Sequence, residues 1–200
     1  MTINFNDRVA IVTGAGGGLG KQHALELARR GAKVVVNDLG GAMDGSGGAS
    51  DAANVVVEEI KAEGGEAIPN GSSVADKEGV SKMVAETMEK WGRIDILVNN
   101  AGILRDKSFH KITIEEFDAV MDVHFQGSVY ASHAVYPIMR DQNFGRIIFT
   151  TSSGGLCGNF GQANYGAAKM GMIGLMNCLK IEGQKYNVHS SAVAPVALSR

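Results

Sequence analysis

The chain of 200 residues carries a formal net charge of -2, with 44% hydrophobic and 20% charged residues. This balance is typical of one globular domain of ordinary size and excludes a disordered tail or a strongly basic nucleic-acid-binding protein. No apolar run approaches the roughly 20 residues of a membrane span, so neither nucleic acid nor a membrane is an expected partner.

Short apolar runs rich in Val and Ile alternate with amphipathic stretches along the chain. Such runs predict strands that are buried on both faces, and the amphipathic stretches predict helices that cover them. The alternation predicts the fold class α/β: a Rossmann-type, doubly wound parallel sheet in a single domain over residues 1–200. The predicted elements, in chain order, are strand 9–12, helix 19–30, strand 33–37, helix 51–63, a short strand 66–69, helix 77–91, strand 94–98, helix 114–140, strand 146–151, helix 163–186 and strand 188–194.

A glycine-rich turn, TGAGGGLG at residues 13–20, joins the first strand to the first helix. Gly14 allows a tight turn, Gly18 leaves room for a pyrophosphate, and Gly20 lets the helix pack closely on the strand. The helix begins near Leu19 and presents free N–H groups to phosphates. A glycine pattern alone is weak, but its position between strand and helix predicts a dinucleotide site rather than a plain turn.

Asp38 ends the second predicted strand, 18 positions after Gly20, close to the spacing of about 20 that a ribose-binding acid shows. A carboxylate there accepts hydrogen bonds from the adenosine 2′-hydroxyl and repels a 2′-phosphate. No Arg or Lys occurs in residues 39–50, so Asp38 favours NAD over NADP. The alternative is an acid that only caps a turn, since Asp favours turns in any protein.

Residues 39–50, LGGAMDGSGGAS, are the only linker-like stretch. Their glycine content favours a flexible surface loop. The alternative is an insertion beside the adenosine of a cofactor, because the stretch directly follows the second strand.

Ser152 closes the strand at 146–151, and Tyr165 and Lys169 follow on the next predicted helix. The carboxyl ends of parallel strands form the ligand-binding edge of a sheet, so Ser152 can face Tyr165 across the nucleotide crevice. A free tyrosine is a poor base at neutral pH, but a cation one helical turn away favours the phenolate. Tyr165 can then exchange a proton with an alcohol or ketone while Ser152 hydrogen-bonds the carbonyl oxygen. The alternative, an ordinary exposed Tyr–Lys pair, does not explain why three motifs meet at one edge.

The cysteines, Cys157 and Cys178, and the scattered histidines have no metal-ligand spacing, so no metal site is predicted. Two cysteines in a chain of this length favour a reducing compartment over a disulfide framework. The first residues lack the pattern of a secretory signal. These features predict a cytoplasmic protein, or a peroxisomal one if the source is eukaryotic.

Three motifs together resemble those of the short-chain dehydrogenase/reductase family, and the resemblance covers nearly the whole chain. They are the TGAGGGLG turn, Asn99-Asn100-Ala101-Gly102 after the strand at 94–98, and Ser152 followed by Tyr165-Gly166-Ala167-Ala168-Lys169. The resemblance implies an oxidoreductase in which Tyr165 is the acid/base and Lys169 also holds the nicotinamide ribose.

The resemblance also implies that Asn100, Ala101 and Gly102 lie against the cofactor. Val74 would mark the adenine contact, although the usual Asp-Val reads Ser73-Val74 here. His124 stands where many members have an asparagine that joins a water relay to the lysine. It is either a member of such a relay or a packed core residue.

Within that family, VVVNDLGG, NNAGILRDKSF and GNFGQANYGAAKMG are similar to the (3R)-hydroxyacyl-CoA dehydrogenase unit of peroxisomal multifunctional β-oxidation enzymes and to bacterial relatives. This implies that the 3-hydroxyl of an acyl-CoA thioester is oxidised. Two alternatives stay open. One is a short-chain oxidoreductase of another carbonyl substrate, such as a 3-oxoacyl carrier protein, a steroid or a sugar. The other is a nucleotide-binding module with little catalysis.

The end of the chain departs from the family pattern. Pro195-Val196 replaces a frequent Pro-Gly, and family members normally continue beyond the position of Arg200 through a substrate-covering segment. The resemblance therefore implies that the C-terminal part of such a domain is absent from this sequence. The helices predicted at 114–140 and 163–186 correspond to the family's dimer interface, so a homodimer or homotetramer is expected.

Overall fold

The computed structural model describes residues 3–47 and 51–195, which form alternating strands and helices. The strands are β1 (Val9–Thr13), β2 (Lys33–Asn37), β3 (Glu66–Asn70), β4 (Ile96–Asn99), β5 (Gly145–Thr150) and β6 (Val188–Val193). The helices are α1 (Gly18–Arg29), α2 (Ala52–Ala62), α3 (Lys77–Trp91), α4 (Ile114–Met121), α5 (Gly127–Asp141), α6 (Ser153–Cys157) and α7 (Ala163–Gly183).

The six strands form one sheet in the order β3-β2-β1-β4-β5-β6. Every neighbouring pair is parallel, and β1 lies at the centre, where Val12 pairs with Val36 on one side and with Val98 on the other. Parallel strands need crossover connections, and the helices between them supply these. The order confirms the predicted doubly wound α/β fold.

Two hydrophobic cores lie on the two faces of the sheet. Alternate residues of one strand enter different cores, as the period of two in a strand requires: Ala10 and Val12 pack with α1 and α2, whereas Ile11 packs with α3, α5 and α7. All five residues of β1 are buried. Burial on both faces explains why the strands read as continuous apolar runs.

The helix predicted at 114–140 is interrupted. Between α4 and α5 the chain forms a π-helical turn, Asp122–Gln126, in which the N–H of Gly127 bonds to the carbonyl of Asp122. A Cβ on Gly127 would lie 2.8 Å from Val74, so α5 approaches the segment after β3 at close range. The prediction also missed α6, and it extended the last helix into residues that form a 3-10 turn, Gln184–Tyr186.

One carboxylate is fully buried at the amino-terminal edge of the sheet. Asp95 is 0% exposed and accepts hydrogen bonds from Arg8 at 2.8 Å, from Arg93 at 2.7 and 2.8 Å, and from the backbone N–H of Val9 at 2.9 Å. Burial alone would raise the pKa of Asp95, but these hydrogen bonds outweigh it and hold the pKa below its ordinary value. Asp95 therefore fixes the start of β1 against β4 in its charged form.

At the opposite edge, the chain leaves β1 and β4 in different directions, which opens a crevice at the carboxyl ends of the central strands. The sequence motifs all lie along this edge.

None of the helices in the described ranges combines the length and the hydropathy that a membrane-spanning helix requires. Within the same ranges, no three His, Cys, Asp or Glu residues come together as metal ligands.

Candidate active site

The glycine-rich turn between β1 and α1 has a backbone shape that glycine adopts easily. Gly14 and Gly18 have φ angles of 62° and 51°, in the left-handed region where other residues are strained. A Cβ on Gly20 would overlap the carbonyl oxygen of Gly14, whereas a Cβ on Gly17 or Gly18 would meet nothing within 4 Å. The turn therefore borders open space and, from Leu19 onward, α1 presents its first N–H groups near that space. This geometry fits a pyrophosphate.

Asp38 follows β2, and its carboxylate faces the glycine turn. Its Oδ2 accepts a hydrogen bond from the N–H of Gly16 at 2.8 Å, and its Oδ1 accepts one from the N–H of Gly40 at 2.7 Å. Each carboxylate oxygen can accept more than one hydrogen bond, so Asp38 can still receive hydroxyl groups. The two sequence interpretations of Asp38, turn cap and ribose ligand, are compatible in this geometry.

Asn100 ties the end of β4 to the glycine turn. Its Nδ2 donates to the carbonyl oxygens of Thr13 and Gly14 at 3.1 and 3.0 Å. The Thr13 hydroxyl oxygen accepts the backbone N–H groups of Asn100 and Ala101 at 3.0 and 3.1 Å. Asn100 thus shapes the floor of the crevice. Thr13 shares that task, although no role was predicted for it. In the sequence, only its position at the end of a strand distinguishes it.

Gly102 and Val74 lie where neighbouring elements come very close. A Cβ on Gly102 would overlap the imidazole of His124, so this position has no room for a larger residue. Val74 is 6% exposed and packs against Gly127 at the start of α5. Its side chain is thus engaged in packing, and an adenine contact from Val74 stays a prediction.

Residues 48–50 of the glycine-rich stretch and Val196 lie outside the described residues.

Ser152 and Tyr165 border the same small space. Ser152 caps α6, because its Oγ accepts the N–H of Gly154 at 3.1 Å. This bond uses a lone pair of the hydroxyl and leaves its O–H to donate. A Cβ on Gly154 would lie 3.6 Å from Ser152 Oγ and 3.7 Å from Tyr165 Cε1. The serine hydroxyl and the ring of the half-buried tyrosine therefore both lie close to the same point beside Gly154.

Lys169 lies one turn after Tyr165 on α7 and is only 3% exposed. Its Nζ donates to the carbonyl oxygen of Thr150 and lies 5.5 Å from the centroid of the Tyr165 ring. Burial lowers the pKa of Lys169 to about 8, so the charged form still dominates at neutral pH. The structure therefore places a buried cation beside the tyrosine, as the spacing of the two residues predicted.

Asn164 holds the first turn of α7 in place. It is 0% exposed, its Oδ1 accepts the N–H of Tyr165 at 2.7 Å, and its Nδ2 donates to the carbonyl of Arg105 at 3.1 Å. The first N–H groups of a helix have no partner within the helix, and Asn164 supplies one for Tyr165. Asn164 was not predicted as a site residue, because nothing in the sequence but its proximity to the tyrosine distinguishes it.

His124 lies in the π-helical turn and packs edge-on against Tyr165, with 5.2 Å between the ring centroids. Its Nε2 is 2.8 Å from the carbonyl oxygen and 3.0 Å from the backbone nitrogen of Ile103, and a neutral ring can bond only one of them at a time. Burial, helped by the Lys169 cation, lowers the pKa of His124 to about 3. His124 is thus a neutral, packed neighbour of Tyr165, and a relay role stays a prediction.

A cavity of about 350 Å³ opens beside the serine. A larger cavity of about 540 Å³ lies at the far ends of α5 and α7, away from every predicted site residue; its lining includes Tyr136 and Tyr186. The smaller cavity lies on the serine side of the Ser–Tyr–Lys cluster, since Ser152 lines it and Tyr165 and Lys169 do not. Its lining comprises Ser152, Ser153, Gly154, Cys157, Gly158, Asn159 and Gln162.

The chain is similar to known proteins in sequence and in fold. Residues 8–199 match the family model described as short chain dehydrogenase. The chain is 56% identical over 200 residues to peroxisomal multifunctional enzyme A of Dictyostelium discoideum, of which it spans 45%. It is 56% identical over 198 residues to the peroxisomal hydratase-dehydrogenase-epimerase of Saccharomyces cerevisiae, of which it spans 22%. The crystal structure of a short chain dehydrogenase from Mycobacterium avium superposes with a TM-score of 0.88 at 46% identity, covering 96% of this chain and 68% of that one.

Proposed function

Since this chain belongs to the short chain dehydrogenase family, we propose that it is an NAD-dependent oxidoreductase that converts (3R)-3-hydroxyacyl-CoA to 3-oxoacyl-CoA. The observation that supports catalysis most strongly is the buried Lys169 ammonium beside the Tyr165 ring, at the edge that also carries the glycine turn. A buried cation is costly unless the fold needs it there. The acyl-CoA substrate rests on the sequence resemblance and is the more specific part of the proposal.

In the proposed mechanism, the bound nicotinamide supplies a hydride acceptor for the C3–H bond of the substrate. Tyr165, as the phenolate, takes the proton of the 3-hydroxyl, so a C–H and an O–H bond break while a C=O bond forms. The Lys169 ammonium, 5.5 Å from the centroid of the Tyr165 ring, places a positive charge next to the residue that takes this proton. The O–H of Ser152 hydrogen-bonds the oxygen of the forming carbonyl. In the reverse direction Tyr165 returns the proton to the ketone.

The residues of the crevice fit a dinucleotide. The turn leaves open space at Gly17 and Gly18, where a phosphate group needs it. Asp38 stands at the end of β2, where its carboxylate can receive the two hydroxyls of an adenosine ribose. An uncompensated negative charge at that position disfavours a 2′-phosphate, which supports NAD over NADP.

The substrate is tested by incubating the protein with NAD and (3R)-3-hydroxyacyl-CoA thioesters and following the absorbance of the reduced nicotinamide. We expect turnover with this enantiomer and little with the (3S) form. A steroid alcohol, a sugar and a 3-hydroxyacyl carrier protein serve as comparison substrates. Higher kcat/KM with one of these would replace the acyl-CoA assignment while leaving the oxidoreductase assignment intact.

Replacing Asp38 by Ala should weaken the preference for NAD over NADP. The change removes both a charge-assisted hydrogen bond to the ribose and the repulsion of a 2′-phosphate, so we expect the ratio of the two kcat/KM values to fall about tenfold to a hundredfold. Steady-state kinetics with both cofactors measures this ratio. Glu58→Ala, which removes an exposed acid on α2, is the matched control. An unchanged ratio in Asp38→Ala would contradict the ribose contact.

A further inference from the structure

The glycine-rich stretch that follows β2 makes hydrogen bonds to another part of the chain. Its described part, residues 39–47, contacts the segment that follows β4. The backbone N–H of Leu104 donates to the carbonyl of Met43 at 2.8 Å, and Nε of Arg105 donates to the carbonyl of Asp44 at 2.9 Å. We call residues 39–47 the strap.

The strap has a defined shape of its own. The N–H of Ala42 donates to the carbonyl of Ser46 at 2.8 Å, and the N–H of Gly45 donates to the carbonyl of Ala42 at 2.9 Å. The hydroxyl of Ser46 donates to Asp44 at 2.6 Å. A turn closed by these bonds is not the random coil that its glycine content alone would favour.

The position of the strap follows from the strand order. It begins after β2 and reaches the segment after β4, and β1 lies between those two strands. The strap must therefore pass over the carboxyl end of β1, where the glycine turn lies. A Cβ on Gly17 or Gly18 would meet no atom within 4 Å, so no strap residue packs against the turn at those two positions.

The segment that holds the strap is itself held by the catalytic helix. The carbonyl of Arg105 accepts from Asn164, Asp106 accepts from Nε2 of Gln162 at 2.7 Å, and the N–H of Lys107 donates to the carbonyl of Gly161 at 2.9 Å. These bonds fix residues 105–107 against the start of α7. The strap is thus held at its start by Asp38 and at its middle by Leu104 and Arg105.

We propose that the strap is the outer wall of the dinucleotide site and that Arg105 is the positioning residue that holds it there. This inference rests on the dinucleotide site of the proposed function. A dinucleotide in the crevice lies between the glycine turn and the strap, so its release requires the strap to lift and the Leu104 and Arg105 hydrogen bonds to break.

The first test is the Arg105→Met variant, which removes the Nε donor and keeps most of the apolar side chain. Stopped-flow fluorescence of NADH, displaced by excess NAD, gives the release rate. We expect release about threefold to tenfold faster than in the wild type, as the loss of one hydrogen bond predicts. Arg29→Met, on the exposed end of α1, should leave the rate unchanged. Equal release rates for wild type and Arg105→Met would overturn the role of Arg105.

The second test needs no substitution. Digestion of the wild-type protein with an endoprotease that cleaves before Asp, followed by mass spectrometry, measures cutting between Met43 and Asp44. NADH should protect this bond. If NADH binds and the bond is cut at the same rate, the strap does not cover the cofactor and the inference is wrong. If wild-type protein does not bind NADH at all, the dinucleotide site of the proposed function fails first.

Discussion

The Tyr165→Phe variant should bind NADH as tightly as the wild type and lose about 10²- to 10⁴-fold in kcat, the range that general acid–base catalysis contributes. Phenylalanine keeps the ring that packs edge-on against His124 and removes only the hydroxyl. The variant therefore separates the proton transfer from the shape of the site.

The expected loss depends on the surroundings of the tyrosine. Its backbone is fixed by Asn164, and the Lys169 ammonium lies 5.5 Å from its ring centroid. Without the hydroxyl, the alcohol proton has to leave to solvent, which is slower.

Steady-state kinetics gives kcat, and fluorescence titration gives the dissociation constant of NADH. Tyr186→Phe is the matched control, because Tyr186 lines the larger cavity at the far end of α7. It should change neither quantity. If Tyr165→Phe turned over as fast as the wild type, Tyr165 would not be the acid/base, and the proposed mechanism would have to be abandoned.

The Asp95→Ala variant should be less stable than the wild type by about 3 kcal/mol, near the lower end of the range for breaking a buried ion pair. Asp95 is 0% exposed and accepts hydrogen bonds from two arginines and from a backbone N–H. Arg8 and Arg93 are partly exposed, so water can solvate them when the carboxylate is gone. The backbone N–H of Val9 is buried and loses its partner, which is the larger part of the cost.

Urea denaturation followed by circular dichroism measures this difference. The exposed Glu63, which pairs with Arg29 on the surface, gives the control variant Glu63→Ala. Surface pairs contribute little, so we expect a change below about 1 kcal/mol. A similar small change in Asp95→Ala would show that the arginine cluster does not stabilise the start of β1.

The same carboxylate predicts a pH dependence. Because the pKa of Asp95 in the folded chain lies below its ordinary value, the unfolded chain binds the proton more tightly, and acid favours unfolding. The stabilisation is complete above the unfolded pKa of about 3.9 and is lost as the pH falls through the lower folded pKa. The stability difference between wild type and Asp95→Asn should therefore shrink below about pH 4. A difference that stayed constant into acid would contradict the assigned charge.

The sheet and the motifs at its edge could be predicted, because both depend on local patterns. Runs of Val and Ile mark strands, and the glycine turn and the Tyr–Lys spacing have a meaning that does not require the rest of the fold. The π-helical turn could not be predicted, since it accompanies the close packing of Gly127 on Val74, which are far apart in sequence. Asn164 was missed for a similar reason: its second partner, Arg105, is a long-range contact.

The end of strand β5 fixes the distance between two of the reacting groups. Its last residue, Thr150, provides the carbonyl that receives the lysine amine, and Ser152 follows in extended conformation with φ of -156°. Two residues of extended chain span about 6.6 Å. The extended backbone therefore sets the separation between the Thr150 carbonyl, which binds the Lys169 amine, and Ser152. Length changes in the turn at residues 158–162 leave that separation intact. A single residue added between Thr150 and Ser152 would alter it, even though no functional side chain had been lost.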